Sequence, residues 1–341
     1  MIGTLAHPLN QAVIDPQTQR VVHGYGILQP RVGIDLPSAL RSRFARISSG
    51  NVGVDPYTTA VSDVYMDLFG EGIFAGKGIY DPVAMRTALH DRFPENTLLS
   101  HDLIEGCYAR AALLSDVELL DSYPTTYAAY SARQHRWVRG DWQIAGWLLP
   151  HVPGASGGYA PNVLPLISRF KIADNLRRSL TPPTTLALLI AGWFALPGRP
   201  AVWTLLALGH YLAPLIFAVL SLRLMPANWR YLRAHLVTTV GSLRWTTLQL
   251  LLNVAMLPDQ AWLNMDAIIR TLWRMGVSHR RMLEWETAAQ AQRRLTNSFD
   301  YLVRRMAPSA KSQPHRTSRS NATSQRRIPQ RHMPTFSQTA S

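Results

Sequence analysis

The sequence predicts an α/β domain followed by a helical transmembrane region and a disordered basic tail. Three observations carry that prediction. Residues 1–170 alternate short apolar runs with Pro/Gly turns, the pattern of a domain mixing strands and helices. Residues 171–295 hold two runs without Asp, Glu, Lys or Arg, at 181–198 and 201–222. Residues 296–341 are rich in Ser, Thr, Gln, Pro and Arg, with no acidic residue after Asp300. Such a composition buries too little apolar surface to offset the entropy of folding.

Within the first zone, β-branched and aromatic residues at 21–29 predict a strand. Residues 39–50 have mixed polarity, and 51–55 read as a loop. The segment Phe69-Gly70-Glu71-Gly72-Ile73-Phe74-Ala75-Gly76-Lys77-Gly78 is too rich in glycine for a helix interior. Residues 83–90 predict a helix that closes before the Phe93-Pro94 turn. Further helices are expected at 106–120 and at 127–149.

A helical span needs about 20 apolar residues. The run at 201–222 meets that length, whereas 182–198 is shorter and contains Pro182 and Pro183. A pair of buried core helices is one reading. The length and proximity of the runs favour the other, two transmembrane helices at about 182–198 and 201–222. Residues 236–257 form a third span or an interfacial helix, because Arg244 inside them would be costly at mid-bilayer. Arg177 and Arg178 precede the pair, Arg223, Arg230 and Arg233 follow it, and Arg199 alone lies in the turn. The excess of Arg on both outer flanks places them in the cytoplasm. Trp262, Trp273 and Trp285, with Arg270, Arg274, Arg280 and Arg281, continue the amphipathic character.

The chain has room for one or two domains with their own cores. Its 35 Lys+Arg exceed its 21 Asp+Glu by enough to give a net charge of +14. The excess is almost all Arg, whose planar fork suits phosphate and carboxylate. Nucleic acid, anionic lipid and nucleotide-sugar all match that charge; with no nucleic-acid fold signature, nucleic acid is not an expected partner. The lone Cys107 excludes an internal disulfide and a Cys-rich zinc site. The opening residues lack the pattern of a signal peptide. The sequon at Asn321-Ala322-Thr323 is read as a chance match on a cytoplasmic tail.

Two motifs bear chemistry. Asp102 and Glu105 in Ser100-His101-Asp102-Leu103-Ile104-Glu105-Gly106 would share one helix face. Spacing alone favours a helix cap, with Asp102 at the N-cap and Glu105 folding back. The alternative makes Asp102 a general base. A metal site of His101, Asp102 and Glu105 is the weakest reading, because no further ligands lie at suitable spacing. The second motif places Arg133, Arg136 and Arg139 every third residue, with Trp137 and Trp142 among them. One helix face would present guanidinium groups to a diphosphate and indoles to sugar rings, or lie at a membrane interface. The glycine loop is not a phosphate-binding Walker A motif, because Gly78 follows Lys77 and no glycine lies five before Gly76.

Together these motifs resemble a known family. The series runs through Leu5-Ala6-His7-Pro8-Leu9-Asn10, Gly24-Tyr25-Gly26-Ile27-Leu28-Gln29-Pro30-Arg31-Val32, residues 67–81, and Arg92-Phe93-Pro94-Glu95-Asn96. His101-Asp102-Leu103-Ile104-Glu105-Gly106 and residues 135–143 complete it. The chain resembles, over about residues 1–295, the glycosyltransferase region of cyclic β-1,2-glucan synthases. These are membrane proteins similar to processive family-2 glycosyltransferases such as cellulose synthase. The resemblance implies that 1–170 is the C-terminal half of a GT-A-like domain, on the cytoplasmic face of a bacterial inner membrane. It implies UDP-glucose as donor and a glucan as acceptor, joined with inversion. Asp102 matches the catalytic base of the Thr-Glu-Asp motif, which reverses the preference for a cap. Arg133 or Gln134, then Arg136 and Trp137, match the Gln-x-x-Arg-Trp element that contacts acceptor and pyrophosphate. Phe74, Gly76 and Lys77 belong to the acceptor-side loop, and Glu105 joins the substrate-binding set.

Two departures follow. The family uses Mg²⁺ or Mn²⁺ on an Asp-x-Asp motif, and this chain has none; Asp63 and Asp67 are four apart. The family also continues into a large phosphorylase-like domain. The chain is therefore expected to be a fragment, active as a glucan synthase when a separate polypeptide supplies the missing parts. The alternative is a catalytically inactive, membrane-bound interaction module.

Overall fold

The computed structural model describes residues 1–49, 63–155, 157–221 and 232–284. The expected loop at 51–55, Arg223, Arg230, Trp285 and the tail at 296–341 lie outside the described residues. The chain opens with a short helix α1 (Ile2–Leu5) and a small antiparallel pair, β1 (Val13–Ile14) with β2 (Val21–His23). Next come β3 (Ile27–Ile34), α2 (Leu36–Leu40), α3 (Arg43–Ser48), α4 (Val64–Phe69), β4 (Ile79–Tyr80) and α5 (Pro82–Leu89). The helix α6 (Asp102–Ala109) leads into β5 (Ala111–Asp121), and then α7 (Tyr127–Gln143) begins. A second small pair, β6 (His151–Pro153) and β7 (Tyr159–Pro161), precedes three long helices. These are α8 (Leu166–Phe194), α9 (Pro200–Ser221) and α10 (Leu232–Trp273).

The central sheet has strand order β4-β3-β5. β3 and β5 run parallel, from Ile27 opposite Ala111 to Ile34 opposite Asp121, with a register shift after Pro30. A parallel pair needs a long crossover, and here α2 to α6 supply it. Polar side chains start the helices: Asp81 accepts from Val83 N at 2.8 Å, Ser42 from Ala45 N at 2.9 Å, and Thr126 from Ala129 N at 3.2 Å. The core gathers Ile27, Phe74, Ile104, Tyr108, Trp147 and Ile172. Phe93 seals it edge-on to Tyr108 and Trp147.

The helix expected at 106–120 is corrected. α6 stops at Ala109, Arg110 takes a φ of +54°, and 111–121 join β3 as a strand. The Arg110 guanidinium anchors that turn, donating to Gly24 O at 3.2 Å and Gly70 O at 3.0 Å. The helix expected at 127–149 ends at Gln143 and passes into a 3₁₀ turn at Ala145–Leu148.

Among the described residues no helix is long and apolar enough to cross a membrane, so the expected spans at 182–198, 201–222 and 236–257 are not borne out. α8 starts inside the folded domain and carries Lys171, Asp174, Arg177 and Arg178 before its paired prolines. α9 contains His210 and Pro214, and α10 contains Arg244 and Pro258. Pro183 has no N–H to give the carbonyl of Ser179, four residues back. Asn264 Nδ2 of α10 donates to that carbonyl instead, at 2.8 Å. Three further contacts bind α7 to α10: Tyr127 Oη to Asp259 Oδ2 at 2.6 Å, His135 Nε2 with Asp266 Oδ2 at 3.0 Å, and Val138 against Ala267 and Ile268.

Candidate active site

Asp102 is the first residue of α6, and His101 stands at the N-cap without a side-chain cap bond. The cap reading therefore fails for both carboxylates. Glu105 Oε1 faces His101 Nδ1 at 3.3 Å, and Asp102 Oδ2 accepts from Ser100 Oγ at 3.2 Å. Burial pushes the Asp102 carboxyl above its ordinary range, and the Glu105 charge adds to that. The Ser100 hydroxyl, His101 and Arg136 act the other way.

The turn that carries Asp102 is tied to α7. Leu99 N donates to Gln143 Oε1 at 2.6 Å. Gly140 lets the helix close in; a β-carbon there would lie 2.9 Å from Ser100 Cβ. From the other side comes the glycine loop. Gly76, at φ +80°, brings its backbone against the Asp102 carboxylate. The loop is pinned at Ala75, whose N–H donates to Gln29 Oε1, and at Glu71, whose Oε1 accepts from the buried Lys171 Nζ at 2.9 Å.

Asp102 thus lines a cavity of about 320 Å³ together with Phe74, Ala75, Gln134 and Trp137. Gln134 and Trp137 also line a second cavity of about 270 Å³, beside Arg133 and the rings of Tyr123, Tyr127 and Tyr130. Arg133 stacks over Trp137 with its guanidinium carbon 4.7 Å from the ring centroid, and over Tyr123 at 5.5 Å. α7 is therefore the partition between two cavities.

Not every expected residue reaches the Asp102 cavity. Lys77 forms an ion pair with Asp121 at the end of β5. Glu105 is held by His101, and Arg136 reaches Asp102 through its charge. Arg139 does not join Arg133 and Arg136 on one face. It is buried and donates to Glu284 O at 2.8 Å and Met282 O at 3.3 Å. Asp141, Asn175, Arg178 and Ser179 line the cavity and were missed by sequence reasoning. Asp141 follows Trp137 by one helical turn, a spacing that could have found it. The other three lie on α8, in the segment read as the flank of a membrane span. Among the described residues no group of three His, Cys, Asp or Glu side chains is placed to hold a metal ion.

No protein-family model matches the chain. Over 296 residues, 86% of its length, the chain is 44% identical to the cyclic β-(1,2)-glucan synthase NdvB of Rhizobium meliloti (strain 1021). The chain is homologous to a glucan synthase. The resemblance expected from the motifs is borne out. The chain spans a tenth of the length of the curated relative it matches.

Proposed function

We propose that the Asp102 cavity is the acceptor side of a glucosyltransferase that moves glucose from UDP-glucose onto a growing β-1,2-glucan, with inversion. The observation that carries this reading is the Asp102 carboxylate itself. It caps no helix, it lines a cavity beside Trp137 and Gln134, and the glycine loop presses against it. A carboxylate raised by burial is a better base near neutral pH than a free one. In the transfer, the acceptor 2-hydroxyl oxygen forms a bond to the anomeric carbon of glucose. The bond from that carbon to the UDP oxygen breaks, and the hydroxyl proton passes to Asp102. The indole of Trp137 offers a flat apolar face to the acceptor ring, and Gln134 offers an amide to its hydroxyls. The second cavity across α7, lined by tyrosine rings, gives the lengthening glucan a continuation.

The parallel β3/β5 pair with its crossover is compatible with a GT-A-like arrangement of residues 1–170. Membrane attachment at the cytoplasmic face of a bacterial inner membrane belongs to the same reading. It is supported by the apolar side chains left exposed on α8 and α9, among them Ile190, Phe194, Leu205 and Leu206.

The test is incorporation of labelled glucose from UDP-glucose into β-1,2-glucan by membranes containing the chain. Turnover that falls at least about a thousandfold in Asp102→Asn is the expected result. Equal turnover in the variant rejects the reading, as does no turnover in the parent when a polypeptide supplying the missing parts is present.

A further inference from the structure

The Asp102 cavity is lined by a second carboxylate, that of Asp141. Asp141 lies on α7 four residues past Trp137 and seven past Gln134, so the three side chains share the face that lines the cavity. α8 contributes Asn175 and Arg178 to the same lining. Arg178 Nη2 donates to Asn175 Oδ1, which fixes the orientation of that amide and turns its nitrogen toward Asp141. Asn175 Nδ2 then donates to Asp141 Oδ1 at 3.3 Å. One bond of that length uses little of the capacity of a carboxylate, which offers about four acceptor positions. Burial holds the Asp141 carboxyl up at about 7 despite Arg178 and Asn175. A carboxyl near that balance suits a hydroxyl group, which both donates and accepts.

We propose that Asp141, braced by Asn175 and Arg178, binds a hydroxyl of the acceptor sugar and holds the terminal glucosyl residue against Trp137. The inference rests on the glucosyl-transfer reading and deepens it by assigning the ligand of this carboxylate. Asp102, Asp141, Gln134 and Asn175 line one cavity with groups that pair with the hydroxyls of a neutral polyol, as a sugar acceptor requires. Asp141 binds the acceptor, and Asp102 takes its proton.

The test is calorimetric titration of the chain with sophorose, the β-1,2-linked glucose disaccharide, and with its monodeoxy analogues. The parent chain binds sophorose, and Asp141→Asn binds it about tenfold more weakly. One deoxy analogue loses about the same factor against the parent and none further against Asp141→Asn, a coupling that damage to the fold would not produce. Circular dichroism checks the fold, and Asp141→Ser serves in its place if Asp141→Asn does not fold. Equal affinity of parent and variant, or equal losses for every analogue in both, overturns the Asp141 assignment and leaves the transfer reading standing. A parent chain that does not bind sophorose overturns both.

Discussion

The backbone of Gly76 sits against the carboxylate of Asp102: a β-carbon at Gly76 would lie 2.8 Å from Asp102 Cγ. The loop and the Asp102 carboxylate are therefore one mechanical unit. Gly76→Ala brings a side chain into that contact and into a left-handed φ of +80°, a conformation costing about 1–3 kcal/mol for a residue other than glycine. Chemical denaturation should show a loss of that order. On the proposed function glucan synthesis should fall at least tenfold, and unchanged synthesis would separate the loop from the role proposed for Asp102.

Asp141 should make stability depend on pH in a definite direction. Its folded pKa is raised from 3.8 to about 7, so the folded state binds more protons than the unfolded state between those values. Stability accordingly falls as pH rises through that window and levels above it. Asp141→Asn removes the effect. Its melting temperature should exceed the parent's by a few degrees at pH 8 and lose that advantage at pH 4. Parallel melting curves across pH would contradict the assignment.

Asn264 supplies the hydrogen bond that Pro183 cannot give to Ser179 O. Asn264→Leu keeps most of the volume and leaves that buried carbonyl without a donor. The expected cost is about 1–3 kcal/mol, read from urea unfolding. A neutral result would mean that the carbonyl finds another donor.

Cys107 is 2% exposed, and burial drives its thiol up to about 11. The thiolate is the reactive form, so alkylation by iodoacetamide at pH 8 should be negligible in the native chain and rapid in urea. Mass spectrometry of the two samples decides it.

The exposed apolar side chains of α8 and α9 should bring the chain onto vesicles containing phosphatidylglycerol. Replacing Leu205 and Leu206, each more than half exposed, by glutamate should reduce co-sedimentation severalfold. Full binding by that double variant would relocate the contact.

The local features of this chain were legible. The strand near residue 27, the helix after Asp81 and the helix opening at Thr126 all follow from apolar patterning and a capping side chain. The motifs at Asp102 and at Gln134–Trp137 are short signals read within one turn, and the structure brings both to one cavity. Residues 111–121 were read as helix because their partner, β3, lies some eighty residues away and no local pattern announces the pairing. The apolar runs after residue 180 were read as spans from their length, and among the described residues no helix is long and apolar enough to cross a membrane. Asn175 and Arg178 were overlooked because nothing in their own neighbourhood signals that α8 will face α7.

By itself, the sequence determined the candidate residues and the family they resemble. Both are written in short contiguous motifs whose spacing survives any folding. Only the tertiary structure decided that Asp102 is no cap, that Arg139 turns away from its neighbours, and that Asp141 and Asn175 close the cavity. Those outcomes depend on where separate helices meet. Burial and hydrogen-bond geometry arise from elements distant in sequence, and folding alone brings them to one place.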